Sequence, residues 1–408
     1  MQHEILPKHR AVWVFVAMAS AYFLSTMLRA VTATLSPTLT IELALEAKDL
    51  GLLAGGYFLG FSFTQLPMGR WLDQHGPKKV VLSFLCLAVV GCLAFAVAPG
   101  FSGLLFARVL IGVGVSACLM APLTGYRRWL PIEQQQRANA WMLMTGAFGM
   151  LASTLPVQWL LPVVGWRWIF AGVAALIVLS MLLMAWQVPA WTRHEQAEST
   201  QQQGLLASYE QVWAHPYFRA CIPMGFFNYG GLIAMQTLWA GPWMIKVAGY
   251  TPLEAATGLF GINVCMLVTY WLWGMVTPAL ASRGWGANRL MTWGVPLSLA
   301  ALANIVGQGS EAGAVAWALY CVLSTFVALA QPAVGMAFPS ALAGRALSAY
   351  NLVLFLGIFV VQWGLGLLID AFKGQGWLEA DAYQAAMAVF GVCCVASYVR
   401  FLKRQSDG

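Results

Sequence analysis

Gly69-Arg-Trp-Leu-Asp73-Gln-His-Gly76-Pro-Lys78-Lys79 is the first dense run of charge after a long apolar segment, and a second apolar segment follows it at once. So short and basic a link between two membrane-length runs requires a tight turn at a membrane surface. Gly69 is expected to let two helices approach closely and Asp73 to sit where one helix ends. Gly76 and Pro77 would make the turn, and Lys78 and Lys79 would set its side of the membrane.

Composition agrees with this reading. The chain has 408 residues, 60% hydrophobic and only 9% charged, with a mean hydropathy of +0.72, beyond what a soluble protein of this size reaches. The eight cysteines all fall inside apolar runs without metal-ligand spacing, so they read as packing residues and not as disulfides or a zinc site. The polar start, 1–10, is followed by an apolar run too long for a signal-peptide core, which is expected to stay as a first span.

A spanning helix needs about 20 apolar residues. By that measure spans fall near 11–38, 47–70, 79–98, 102–125, 138–161, 167–188, 219–245, 253–279, 289–308, 313–337, 346–370 and 382–401. With the N-terminus cytoplasmic, sixteen of the 22 Lys and Arg lie in loops on that side and four on the other. This asymmetry places both termini in the cytoplasm. It also accounts for the +7 net charge, so no nucleic-acid partner is needed.

The one long polar connection, from Pro189 to Pro216, holds His194, Glu195, Glu198 and Gln201 to Gln203. It divides the chain into a six-helix bundle at 1–188, a cytoplasmic linker at 189–218 and a second six-helix bundle at 219–408. Leu205, Leu206, Tyr209, Val212 and Trp213 either form one face of an interfacial helix or belong to a solvated tether. The halves also match internally. Tyr22 and Arg29 align with Tyr229 and Gln236, Arg137-Ala138 with Arg345-Ala346, and Pro122 with Pro332, at offsets of 207, 208 and 210. Such repeats are common in membrane carriers.

Gly69-x3-Asp73-x2-Gly76-x-Lys78-Lys79 resembles the signature loop of the major facilitator superfamily. Arg108-x3-Gly112-x-Gly114 is similar to that superfamily's second motif, and Gly165-Trp-Arg-Trp-Ile-Phe170 is also common there. The resemblance covers essentially the whole chain. It implies an all-α membrane protein of twelve helices in two pseudo-symmetric bundles, and a gating role for Gly69, Asp73, Gly76, Lys78, Lys79, Arg108 and Gly112. Two features depart from the pattern: Gln74 replaces the usual Arg, and the second-half loop, Ala281 to Gly286, has no acid. Span five also lacks the Gly-Pro-x-x-Gly-Gly run of many drug/proton antiporters.

Ionisable groups inside a membrane are costly and are therefore functional candidates. Arg29 and Arg108 are the two clear ones, both about 7 to 8 Å to the periplasmic side of centre by helical rise. No carboxylate or histidine falls deep in a span, which disfavours a cation carrier or a carboxylate proton relay. Guanidinium suits a carboxylate or phosphate. Arg29 is the principal substrate candidate, while Arg108 either contacts substrate or holds and gates a neighbouring helix. Tyr22 lies on nearly the same helix face as Arg29. Asn228, Tyr229, Gln236 and Trp239 on span seven are further binding candidates, with core packing as the other reading, and Asn263, Asn351 and Gln362 are weaker ones.

No nucleophile set, Walker loop or metal cluster is present in the sequence, so the expectation is not an enzyme, with no cofactor and no direct use of ATP. The expected protein is a monomeric secondary carrier of the bacterial inner membrane. It would move a small organic anion by alternating access, driven by protons or counter-exchange. Two other readings stand beside it: a proton-driven efflux pump for amphiphilic compounds, and a receptor, which the short tails disfavour.

Overall fold

The computed structural model describes residues 5–190 and 205–406, and among these every regular element is helical. Most of the polar connector lies outside the described residues, including His194, Glu195, Glu198 and Gln201 to Gln203, as do His3, Glu4, Arg193 and Asp407. The helices of the first half are α1 (Lys8–Leu43), α2 (Ala47–Phe63), α3 (Gln65–Val97), α4 (Phe101–Val115), α5 (Ala117–Trp129), α6 (Ile132–Ala152) and α7 (Leu155–Gln187). After the connector come α8 (Leu205–Ala214), α9 (Pro216–Met224), α10 (Gly230–Ala234), α11 (Ala240–Lys246), α12 (Pro252–Ser282), α13 (Ala287–Gln308), α14 (Ala314–Ser324), α15 (Ala330–Met336), α16 (Ser340–Gly374) and α17 (Glu379–Ser406).

Among the described residues nine helical stretches are long and apolar enough to cross a membrane. Three further crossings are built from pieces. α2 runs through helical Thr64 into 65–75, and the chain then turns at Gly76, whose φ of 76° inside α3 is open to glycine. α6 likewise leads into 155–164, which ends at Gly165 with φ 75°. The third crossing, 216–246, alternates α-helix with two π-helical stretches, Gly225–Tyr229 and Met235–Trp239. The twelve crossings expected from the apolar runs are therefore present, several extending a turn beyond them. Many bulky apolar side chains face outward, such as Phe106, Trp168, Trp186 and Val315, as lipid-facing helices require.

The chain divides into two compact units, Met1–Val31 with Gly56–Glu198, and Thr32–Gly55 with Ser199–Gly408. In the first unit α3 packs along α4 and α7, with Phe95 stacked on Phe170 at 4.0 Å. In the second, α8 forms where the interfacial helix was one of two readings. Its Val212 is fully buried in a core cluster with Phe218, Met291 and Tyr350, so that residue faces protein and not lipid. All eight cysteines are free, and Cys86 and Cys265 are exposed where packing was expected.

Candidate functional site

In the first unit the two intramembrane arginines differ in burial. Arg108 on α4 is fully buried. Its Nη1 donates to the Leu28 carbonyl of α1 at 2.9 Å, and its guanidinium lies 5.6 Å from the centre of the Tyr57 ring. The Tyr57 hydroxyl in turn donates to the Ser25 carbonyl at 3.1 Å. Arg108 thus ties α1, α2 and α4 together, through a charge-assisted bond and a cation–π contact in low dielectric. Arg29, the residue after Leu28, is only half-buried, with its guanidinium 5.8 Å from the Phe61 ring. Tyr57 and Phe61, stacked at 6.1 Å on one face of α2, are the aromatic floor that sequence reasoning missed. Their i, i+4 spacing is common to any packed helix and carried no distinguishing signal.

Tyr22 is buried against α6, where a side chain added at Gly146 would strike its ring, and one added at Gly149 would meet Phe23 and Thr26 of the same helix. α1 therefore lies on α6 through two glycines, and the Tyr22 ring is part of that packing.

In the second unit all four candidates of the seventh crossing fall in its π-helical stretches, Asn228 and Tyr229 in the first, Gln236 and Trp239 in the second. Such widened turns recur at functional sites, and no residue pattern announced them here. Asn228 Nδ2 donates to Ser397 Oγ at 2.7 Å and to the Cys394 carbonyl at 3.3 Å, tying this crossing to α17. Gln236 Nε2 donates to Asn263 Oδ1 at 2.9 Å on α12. Trp239 is fully buried and donates to the Gln362 carbonyl at 3.1 Å. Gln362 Nε2 donates to Thr237 Oγ1 at 2.9 Å, while its Oε1 is buried without a hydrogen-bond partner. Asn351 accepts from Gln331 at 2.7 Å. Most of these amides act as cross-helix bonds, the use that apolar surroundings favour. Tyr229 is half-buried.

The hinge motif is built partly as expected. Gly76 turns the chain, and Lys78 Nζ donates to the Ala185 carbonyl at 2.7 Å near the end of α7, where a cation meets the helix dipole favourably. Lys79 is exposed. Gly69 corrects the expectation of close helix approach: it is exposed, and an added Cβ would meet nothing within 4 Å. The close approaches lie elsewhere. At Gly112 an added Cβ would run into the Tyr57 carbonyl, so this motif glycine seats α4 on α2. Asp73 is exposed, with the charge of Arg127 acting on it, and its carboxylate caps no helix. Where α2 begins, Glu46 is held below the usual carboxylate range by its hydrogen bond to Lys48.

The Major Facilitator Superfamily profile matches residues 18–405. The "Probable metabolite transport protein CsbC" of Bacillus subtilis (strain 168) is 21% identical over 88% of this chain and 83% of its own length. The hexuronate transporter of Escherichia coli (strain K12) is 24% identical over 73% of this chain and 72% of its own. Among solved structures, an inward-facing bacterial homolog of the human lysosomal transporter Spinster aligns at a TM-score of 0.79 and 16% identity, over 98% of both chains. A D-xylose–proton symporter aligns at 0.73 and 14%, over 94% of this chain and 96% of its own. With twelve helical crossings, the Gly76 hinge and a family match from residue 18 to 405, this chain belongs to the Major Facilitator Superfamily and is a membrane transporter, not an enzyme.

Proposed function

We propose that the chain carries a small organic anion by alternating access, with Arg29 as its electrostatic contact. The observation that carries this reading is a half-buried arginine inside the first span, its guanidinium 5.8 Å from the Phe61 ring, in spans whose sequence holds no deep carboxylate. A planar fork of donors matches a carboxylate. The likeness to a hexuronate transporter, whose named substrate is an acid sugar, is in keeping with that charge. Arg108 has a positioning role in this proposal: by bonding Leu28 O it fixes the helix turn that presents Arg29. In this reading Asn228 and Trp239 serve as packing residues, their donors engaged by Ser397 and by the Gln362 backbone.

The driving force in this reading is a proton gradient or exchange, and the location is a bacterial inner membrane with both termini in the cytoplasm, supported by the loop charge asymmetry. Proteoliposome uptake of hexuronates and related monocarboxylates, with Arg29→Gln and Arg29→Lys beside the parent chain, tests the reading. Loss in Arg29→Gln with partial retention in Arg29→Lys is expected. Unchanged anion uptake in Arg29→Gln would sink it.

A further inference from the structure

The first helical turn of α2 exposes backbone N–H groups that no carbonyl of its own helix can accept. Most of them find an acceptor. Leu50 donates to the Glu46 carbonyl at 3.1 Å, and the Glu46 N–H just before the helix goes to Asp49 Oδ2 at 3.1 Å. The next two donors reach across the sequence: Ala47 N–H to Asp370 Oδ1 at 3.2 Å and Lys48 N–H to Asp370 Oδ2 at 2.7 Å. One carboxylate on α16 thus spans two donors at the positive end of α2, a favourable arrangement for a negative charge.

Below this cap the two backbones touch. A Cβ added at Gly366 would overlap the Ala47 carbonyl, one at Gly51 would overlap the Gln362 carbonyl, and one at Gly55 would come to 2.9 Å from the Phe359 ring. Positions 359, 362, 366 and 370 lie on one face of α16, and 47, 51 and 55 on one face of α2. The seam is antiparallel, close-packed and closed at its end by Asp370. All of it lies within the second unit. The other half of α2 belongs to the first unit, where Gly60 and Tyr57 press on Val109 and Gly112 of α4.

We propose that Asp370 is a latch that holds the first two turns of α2 on α16 and is released when the transporter opens on the membrane face carrying residues 44–46. Alternating access requires that face to open in one state and close in the other. Where glycine meets backbone, at Gly51 and Gly366, the seam has no side chain of its own to rearrange on parting. The carboxylate cap adds a directional bond that exists only in the closed state. Asp73, on the hinge that the sequence singled out, makes no such bond among the described residues; the cap belongs to Asp370, in the other half of the chain.

The latch is independent of which substrate is carried, and its test uses none. Full-length protein in lipid nanodiscs is compared by hydrogen–deuterium exchange as the parent chain, Asp370→Ala and Asp370→Val, neither of which offers an acceptor to the two N–H groups. Exchange over 44–55 is expected to rise about tenfold in both variants, as loss of a helix cap predicts, with 225–239 in the same molecules unchanged. No rise, or an equal rise in both segments, overturns the latch. A second readout uses Gln362→Cys, fully buried in the seam, with a membrane-impermeant maleimide applied from the face carrying 44–46 and the parent chain as blank. Labelling is expected to quicken about tenfold when Asp370→Ala is added, by the same cap loss. An unaltered labelling rate overturns the proposal.

Discussion

The two halves of α2 use the same device for opposite purposes. From Gly56 to Phe63 the helix is packed by glycine onto α4, and the contact is reinforced by Tyr57 bonding Ser25 and by Arg108 over the Tyr57 ring. From Ala47 to Gly55 it is packed by glycine onto α16, and the reinforcement is one half-buried carboxylate on two N–H groups. The first half is surrounded by groups that cannot be left without partners in an apolar interior. The second half ends at the membrane edge, where water can take over the bonds of Asp370. One stretch is built to stay and the other is able to leave.

The comparison breaks most severely at Gly112. Gly112→Leu would force α4 off the Tyr57 backbone, and a loss of about 3 kcal/mol in stability, with poor recovery of folded protein, is expected. Gly51→Leu at the matching place on the other half should leave the fold intact and hold the seam open, read as fast labelling of Gln362→Cys. If both variants unfold alike, the two halves are equivalent and the contrast fails.

Arg108→Met comes next. It removes a charge-assisted bond to Leu28 and leaves that carbonyl buried, at a cost of about 2 to 3 kcal/mol, visible as a lower Tm in detergent. Arg29→Gln is expected to move Tm little while reducing affinity for an anionic substrate about ten- to a hundredfold, the worth of a hydrogen bond to a charged group. Their separation, stability in one and binding in the other, is the sharpest check on the roles given to the two arginines. Asp370→Ala should cost about 1 kcal/mol of local stability at α2. The smallest effect is expected from Lys78→Met, a few-fold faster exchange at the end of α7 around Ala185 and no change at α2, since a surface cation on a helix end contributes little.

Much of the fold was legible because bilayer thickness converts apolar run length into helix count, and because Gly76-Pro77 can hardly be anything but a turn. Arg29 and Arg108 were legible as candidates because charge is conspicuous in apolar sequence. Their division of labour was not, since burial of one and half-exposure of the other depend on what packs around α1 and α4. The π-helical stretches of the seventh crossing left no mark either. Their residues Asn228 and Gln236 bond to α17 and α12, partners 169 and 27 residues away along the chain that no local pattern names.

The hinge from Gly69 to Lys79 shows where the two levels part. Sequence by itself determined a turn at Gly76, basic residues beside it, a membrane-spanning chain and its superfamily, because these follow from local backbone freedom and from transfer of apolar runs out of water. Only the tertiary structure decided that a Cβ at Gly69 would touch nothing, that Gly112, Gly51 and Gly366 are among the close contacts, and that among the described residues Asp370 rather than Asp73 caps a helix. Helix approach and helix capping are pairwise properties, and the partner of Asp370 lies 322 and 323 positions away along the chain.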